Sequence, residues 1–508
     1  MDAGDLAPLL AAPAGSPARI GLVAIPTRDR PRSLARSLGS LIGDLARSGR
    51  RAEVAVFDDT CDPASGARTR DLAERIGRRR GRAIRYAGGD EKRSFAKRLA
   101  SCGIDPEAVQ FALQPPVRYA GANRNAMLLH AAGRAFASFD DDTVCRLAAP
   151  PGAREGLRIA SGDPCELWPS AGSRPVQGDA VASLESVLGR TAGACVRAHG
   201  GVRLGRLSPA LLAGLRSGEA RAAVTALGVR GDLGLGGGAP LLLLRLPAPS
   251  RGRLVLREAA YRRVMAGGAA LRSAPGLTLA DGASHLFMTT ACAFDHRALL
   301  PPFFPVCRGD DPLFAHELTA VAPETLIAHL PLAIEHRRPA ADTRRAIATA
   351  RDRVRRGARD LPIYLVLVLC VRAFECGARG RSARTRALGR HLQAIGALSP
   401  SDFGAAVGAA WAEVLVDVHR SFRALLEEAD GPVWWRRDVE RYADYLGAQG
   451  TWAAATDVGA EARRLGCSAE AATRRLVSAF GRLLAAWPDM VAAARDLRAR
   501  GEGLLSPV

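Results

Sequence analysis

The sequence predicts an α/β protein: a mostly parallel open sheet with crossover helices, followed by an all-helical C-terminal region. Three observations predict it. Between Arg19 and Thr143, apolar runs of strand length alternate with stretches of helical spacing, the pattern that builds parallel sheets. Thr27-Arg28-Asp29, Asp58-Asp59 and Asp140-Asp141-Asp142 each fall at the carboxyl end of an inferred strand, the edge where open α/β sheets bind ligands. From about Ala341 to the end the pattern is helical.

The elements follow in order. "RIGLVAIPT" (19–27) is a continuous apolar run, as a strand buried on both faces requires. Pro31 suits a first helical position, and Leu34, Leu38, Leu41, Ile42 and Leu45 follow at helical spacing. "AEVAVFDDT" (52–60) and "AIRYAGG" (83–89) read as strands around a helix over 69–81. Helices are expected over 91–102, 105–114 and 119–133, then a strand over 135–143. Residues 145–280 carry a weak pattern, with helical patches near 178–189 and 208–227. "GDLGLGGGAP" (231–240) reads as a connection, because no clear helix start follows it for a phosphate-cradling loop. Ser399, Pro400 and Asp402 form a helix-start signal, with Phe403, Val407, Trp411, Leu415 and Val418 along one side of the helix they open.

At 508 residues the chain exceeds one ordinary hydrophobic core. Its 48% hydrophobic and 24% charged residues are those of a globular protein. No stretch reads as the roughly 18 apolar residues that span a bilayer; "LPIYLVLVLCV" (361–371) is too short. The acidic start "MDAGD" lacks a basic region typical of signal peptides. Ten cysteines without a CxxC pair read as reduced thiols of a cytoplasmic protein. The net charge of +20 is almost all arginine, Lys92 and Lys97 being the only lysines. Arginine, alanine and glycine are abundant throughout, which points to codon bias for much of that charge; a basic surface still favours anionic partners.

Three adjacent carboxylates repel one another, and burying them is costly without a cation. Alone, "FDDDT" (139–143) reads equally as a solvated acidic turn. The i, i+2 spacing of Asp140 and Asp142 also lets two carboxylates reach one hard divalent cation.

"YAGANRNAMLLHAAGRAFASFDDDT" (119–143) resembles the glycosyltransferase family 2 pattern, in which a Gly-x-x-Arg-Asn segment opens a helix and the next strand ends in a DxD motif. Gly121, Arg124, Asn125, Asp140 and Asp142 stand at those positions. "IPTRDRPRSLARSL" (25–38) and "VAVFDDTCDP" (54–63) are similar to two further segments of that family. The resemblance covers roughly 18–144 and 283–340, and the interval between its halves is long. It implies a GT-A fold, Rossmann-like, over residues 18–340. Residues 1–17 are then a tail, 145–280 a variable insertion and 341–508 a helical C-terminal domain. It implies a UDP- or GDP-sugar donor touched by Pro26, Thr27, Arg28, Asp58, Asp59, Arg124, Asn125 and Asp141. It also implies Mn²⁺ or Mg²⁺ held by Asp140 and Asp142.

"FDHRALLPPFFPVCRGDDPLF" (294–314) resembles the family's acceptor side, with Gly309-Asp310-Asp311 in place of Gly-Glu-Asp. An inverting transferase needs a carboxylate to take the acceptor proton, and the resemblance assigns this to Asp311, with Asp310 beside it. The bland reading is an acidic pair at a helix start. His336, after the apolar run "LPLAIE", is the expected third metal ligand, with His329 as alternative; mixed nitrogen and carboxylate ligation suits manganese and magnesium. His285 falls near the acceptor cleft or in the core. The acceptor stays open among glycan, peptide, lipid-linked and natural-product hydroxyls. Nucleic acid is not expected; peripheral membrane contact and self-association through the C-terminal helices are compatible. The rival readings are a sugar-nucleotide nucleotidyltransferase, a metal-dependent nuclease and a non-catalytic nucleotide-binding relative. The first calls for a glycine-rich loop after the first strand, where "AIPTRDRPRSL" has no glycine.

Overall fold

Continuous apolar runs become interior strands, and the ends of those strands set the site. In the computed structural model, residues 17–117, 119–169, 173–234, 239–282, 287–338, 361–428, 431–447 and 455–507 are described. The first strands are β1 (Ile20–Thr27), β2 (Glu53–Asp58), β3 (Ile84–Ala87), β4 (Ala135–Phe139) and β5 (Thr143–Ala149). Then come β6 (Leu157–Ala160), β7 (Glu166–Trp168), β8 (Arg174–Val176), β9 (Val202–Leu204) and β10 (Arg221–Gly231). β11 (Ala270–Ser273), β12 (Leu277–Ala280), β13 (Ala291–Asp295), β14 (Thr325–His336) and β15 (Ser506–Pro507) complete a single sheet. The main path runs β15-β3-β2-β1-β4-β13-β10-β14-β12-β6-β9. Strands β3, β2, β1 and β4 are mutually parallel. From β13 onward the sheet is mixed: β13 is antiparallel to both β4 and β10, while β10 and β14 run parallel. The class is α/β with a large mixed sheet and a helical C-terminal region.

The helix Pro31–Arg47 buries Leu34, Leu38, Leu41, Ile42 and Leu45 against this sheet, each contributing about 1.5–3 kcal/mol. The next helix spans Pro63–Arg80 and starts earlier than its apolar spacing indicates. Asp62 caps it, accepting from the Ser65 amide at 2.9 Å, with Pro63 at the first position. Helices Gly89–Ser101, Pro106–Leu113 and Ala120–His130 stand where expected.

Two expectations are corrected. β4 ends at Phe139, so the three aspartates occupy the turn between β4 and β5 and do not extend the strand. The helical patch expected over 208–227 is a short helix, Pro209–Arg216, followed by β10. β10 lies inside the sheet between β13 and β14, and burial on both faces erases the alternation that marks a half-exposed strand. The weakly patterned 145–280 interval therefore supplies an interior strand. Residues 235–238 of the glycine-rich stretch lie outside the described residues; the helix Ala239–Leu244 follows them.

Residues 341–360 also lie outside the described residues. Beyond them the helices Ile363–Arg372, Arg381–Ala397, Pro400–Glu428, Val433–Gly447, Gly459–Leu465 and Ala469–Ala499 follow. Ser399 caps the Pro400 helix as read, accepting from the Asp402 amide and donating to its carboxylate. These helices share a core with the sheet domain: Trp487 donates to the Leu300 carbonyl at 2.8 Å, and Phe480 meets Phe304 edge-on at 5.2 Å. β15 then pairs with β3 at the sheet edge. By length and composition alone, helix Ala469–Ala499 is long and apolar enough to cross a membrane, although Arg482 and Asp489 interrupt its apolar residues. Half of its apolar window is buried inside the protein.

One buried acid is at odds with this packing. Glu317, on the helix Asp310–Val321, is fully buried, and neither carboxylate oxygen has a hydrogen-bond partner. Burial pushes its pKa well above the usual 4.5. In the unfolded chain it ionises near 4.5, while the folded carboxyl keeps its proton. This group's stability is therefore full at low pH and is lost as pH rises from there to the raised folded value. Glu317→Met is expected to stabilise the protein at pH 7 by about 1–3 kcal/mol. Urea unfolding at pH 4 and 7 checks it, and the gain must shrink at pH 4.

Candidate functional site

The three aspartates do not stay together. Each side chain leaves the β4–β5 turn toward a different main partner, Arg124, Thr27 or His336, while Arg30 lies beside both Asp141 and Asp142.

Asp141 turns toward β1, accepting from the Thr27 hydroxyl at 2.7 Å, with Arg30 at 3.5 Å. Asp142 meets His336 Nε2 at 2.9 Å, with Arg30 at 3.3 Å. Asp140 faces Arg124 Nη2 at 3.6 Å. Sheet register makes the second contact: His336 ends β14 directly opposite Thr143, the first residue of β5. The turn itself is closed by the Thr143 amide and hydroxyl, both donating to the Asp140 carbonyl.

Arg124 is the central cation. It rises from the helix Ala120–His130, and its Nη1 lies 2.5 Å from Asp310 Oδ2 and 3.2 Å from Asp311 Oδ1. The helix reaches this position because Gly121 lets it touch the chain at Phe304, where an added Cβ would fall 1.9 Å from the carbonyl oxygen. Burial would lower the pKa of Arg124, yet the three carboxylates around it hold it above the ordinary arginine value. Asp310 and Asp311 open the helix Asp310–Val321 after Gly309, whose φ of 94° favours glycine. The two acids differ. Asp310 is closed under Arg124, with 6% of its side chain exposed, while Asp311 keeps 22%. Asp311 is aimed by Thr289, which donates its hydroxyl at 2.7 Å and its amide at 3.1 Å to separate carboxylate oxygens.

The electrostatics fit a cluster with too many acids. Burial raises Asp140 to about 7, partly offset by Arg124 and reinforced by Asp142 and Asp311. Burial, with the Asp142 charge, raises Asp141 to about 6, and burial raises Asp310 to about 6. For His336 burial pulls the other way, but the Asp142 hydrogen bond and charge outweigh it and lift the imidazole to about 9. Burial raises Asp142, but the His336 bond and charge together with Arg30 and Arg338 outweigh it and hold the carboxyl below its usual range.

The His336 tautomer bears on metal binding. Nδ1 faces the Asp232 carbonyl at 2.5 Å, so it must donate there. Nε2 of the neutral ring then presents its lone pair toward Asp142. With the imidazole raised to about 9, Nε2 and Asp142 share a proton; a divalent cation would take that proton's place, and a carbonyl on Nδ1 is how metal-bound histidines are oriented. Asp142, His336 and Asp140 thus fit a manganese or magnesium ion in donor type. Among the described residues no three such side chains already converge as a ligand set; Asp140 is turned to Arg124 instead.

The β1–β2 side is held by a buried hydrogen-bond network. Lys92 is fully buried and donates to Asp59 Oδ1 at 2.6 Å, Asn123 Oδ1 at 2.6 Å and the Asp58 carbonyl at 3.0 Å. Asn123 in turn donates to the carbonyls of Thr27 and Phe57, tying the two strand ends together. Asp58 accepts from the Thr60 amide and the Tyr86 hydroxyl, both at 2.8 Å, and burial raises its pKa.

The sequence-derived residues therefore separate into groups. Asp140, Asp141, Asp142, Arg124, Asp310, Asp311, His336 and Thr27 gather in one cluster. Asp58 and Asp59 stand beneath the same edge, engaged by Tyr86 and Lys92. Arg28 is exposed beside Asp29, and Pro26 is half-buried. Asn125 is fully buried, and its amide is engaged by the backbone of Phe303 and Ala112. His329 lies elsewhere on β14, 3.8 Å from Cys165, with its pKa lowered by burial to about 4. His285 lies outside the described residues. Sequence reasoning missed Arg30, Tyr86, Lys92, Asn123 and Thr289. Of these, Lys92 had a signal: a lone pair of lysines in an arginine-rich chain. No protein-family model matches the chain, and no curated protein matches it.

Proposed function

We propose that this protein is a metal-dependent glycosyltransferase that moves a sugar, with inversion, from a nucleoside diphosphate donor to an acceptor hydroxyl. The observation that carries the reading is the meeting of Asp140 and Asp142, Arg124, Asp310–Asp311 and His336, from four separate chain segments, at the carboxyl edge of the parallel strands. The GT-A architecture belongs to the same proposal, supported by the parallel β3-β2-β1-β4 series and the DxD turn after β4.

Asp140, Asp142 and His336 would hold the Mn²⁺ or Mg²⁺. The chemistry such a cation supplies when bound is charge neutralisation of a departing diphosphate. Thr27 and Arg30 keep Asp141 from competing for the same cation. Arg124 offsets the acids while the pocket is empty of donor and faces a donor phosphate once one arrives. Asp311 takes the acceptor O–H proton; the acceptor oxygen bonds to the anomeric carbon, and the bond to the diphosphate breaks with its electron pair leaving on the phosphate oxygen. Asp310 acts through Arg124, which makes it a positioning residue.

The test is a thermal-shift panel of UDP, GDP and their sugars with and without Mn²⁺. A ligand that binds the folded state at 100 times its Kd stabilises it by about 2.7 kcal/mol. One base is expected to raise Tm only with Mn²⁺ present, and Asp142→Asn is expected to remove that metal-dependent part. No shift with any nucleotide overturns the reading.

A further inference from the structure

The outer face of the helix Pro31–Arg47 forms one side of a groove of about 480 Å³, within the size range of small-molecule sites. Its other walls come from β5, from the end of the helix Pro63–Arg80 and from Arg337 just past β14. Five of its eleven lining residues are arginines: Arg36, Arg47, Arg80, Arg146 and Arg337. Lysine and arginine together make up only 71 of the 508 residues, so general arginine richness does not account for the concentration here. No acidic residue lines the groove.

Two carboxylates behind the wall offset part of this charge. Asp44 is buried and pairs with Arg47 at 3.0 Å. Glu335 is shared among Arg146 at 3.6 Å, Arg230 at 3.4 Å and Arg337. Arg80 is exposed and has no ion pair among the described residues. The helix side is nearly bare: an added Cβ at Gly39 meets nothing, and at Gly43 only the Arg47 side chain. An anion can therefore lie close against the helix with guanidinium groups on both sides. Arginine forks suit phosphate oxygens.

We propose that this groove is a second anion site, separate from the aspartate cluster, that takes a phosphate-bearing ligand between Arg80, Arg146 and Arg337. It does not depend on the function proposed above. It does abut the same turn from behind. Arg36 donates to the Arg337 carbonyl at 2.8 Å, the Arg337 amide donates to the Asp142 carbonyl at 2.8 Å, and Ser40 accepts from the Cys145 amide at 2.9 Å. The phosphate could reside on a soluble compound or on a lipid headgroup, and the two are separable by experiment.

The full-length protein is titrated at low ionic strength, without divalent cations, with inorganic pyrophosphate, and is sedimented with phosphatidylglycerol or phosphatidylcholine vesicles. The expected result is saturable pyrophosphate binding that survives Asp142→Asn and weakens at least tenfold in the surface double variant Arg80→Ala/Arg146→Ala. Sedimentation with phosphatidylglycerol alone, lost in the double variant, assigns the site to a lipid phosphate; pyrophosphate binding alone assigns it to a soluble one. No binding in either arm overturns the proposal, as does binding unchanged by the double substitution. Metal-dependent nucleotide binding at the aspartate cluster is read separately, so failure here leaves that reading standing.

Discussion

Asp311→Asn is expected to lower turnover by about 10²–10⁴-fold while leaving metal-dependent nucleotide binding intact, the range for removing a general base. Asparagine keeps the size of the side chain; its single oxygen can still accept from the Thr289 amide while its NH2 donates to the Thr289 hydroxyl. It cannot take a proton. Asp310→Asn is expected to act differently. Asp310 is covered by Arg124 and has little access to an acceptor, so its loss loosens Arg124 and weakens donor binding more than the chemical step. Release of the nucleoside diphosphate from the nucleotide sugar, with water as acceptor, measures both variants before the natural acceptor is known. If Asp311→Asn keeps turnover within about threefold of the parent, no general-base role for Asp311 survives. Thr289→Val gives an internal control: a smaller loss of rate, with nucleotide binding unchanged, is the mark of a group that only aims the base.

Lys92→Met is expected to destabilise the fold by about 3–5 kcal/mol, the cost of leaving a buried charge without its partner. The ammonium is wholly inside the protein, and its three hydrogen bonds reach Asp59, Asn123 and the Asp58 carbonyl. Removing it leaves Asp59 facing an apolar side chain, and one oxygen of Asp59 is already without a partner. Arginine is a poor replacement, because a planar fork cannot present three donors from one point. Adding Asp59→Asn to Lys92→Met is expected to recover part of the loss, since it removes the unpaired charge. Urea unfolding of both variants and the parent measures this; a cost under about 1 kcal/mol for Lys92→Met would show that the charge finds another partner or water. The same network joins the ends of β1 and β2 through Asn123, so a partial loss is expected to show first in nucleotide binding.

How far the site was legible depended on whether a residue acts through its own segment. The strand ends at Thr27 and Asp58 and the carboxylates at 140–142 were legible because apolar runs stop where the sheet edge begins. Asp310 and Asp311 were legible as a helix start, and the resemblance gave them a role before their contacts were known. The resemblance put Asp311 first and Asp310 second, but the burial of Asp310 under Arg124 and the greater exposure of Asp311 were not available from the chain. His336 and His329 share one strand, and only the pairing of β14 with β5 brings the first of them beside Asp142. β10 was misread for a related reason: burial on both faces removes the period that separates strand from helix.

The sequence by itself determined the alternation of strands and helices up to Thr143, the edge of the sheet where polar residues collect, and a helical C-terminal region. Those properties come from local preference and hydrophobic period, which each segment carries alone. Only the tertiary structure decided where each aspartate turns, which acid is shielded, which histidine meets the turn and what Lys92 holds. Each of these is a contact between residues about fifteen to two hundred positions apart, and a buried charge goes to whichever partner the fold brings within reach.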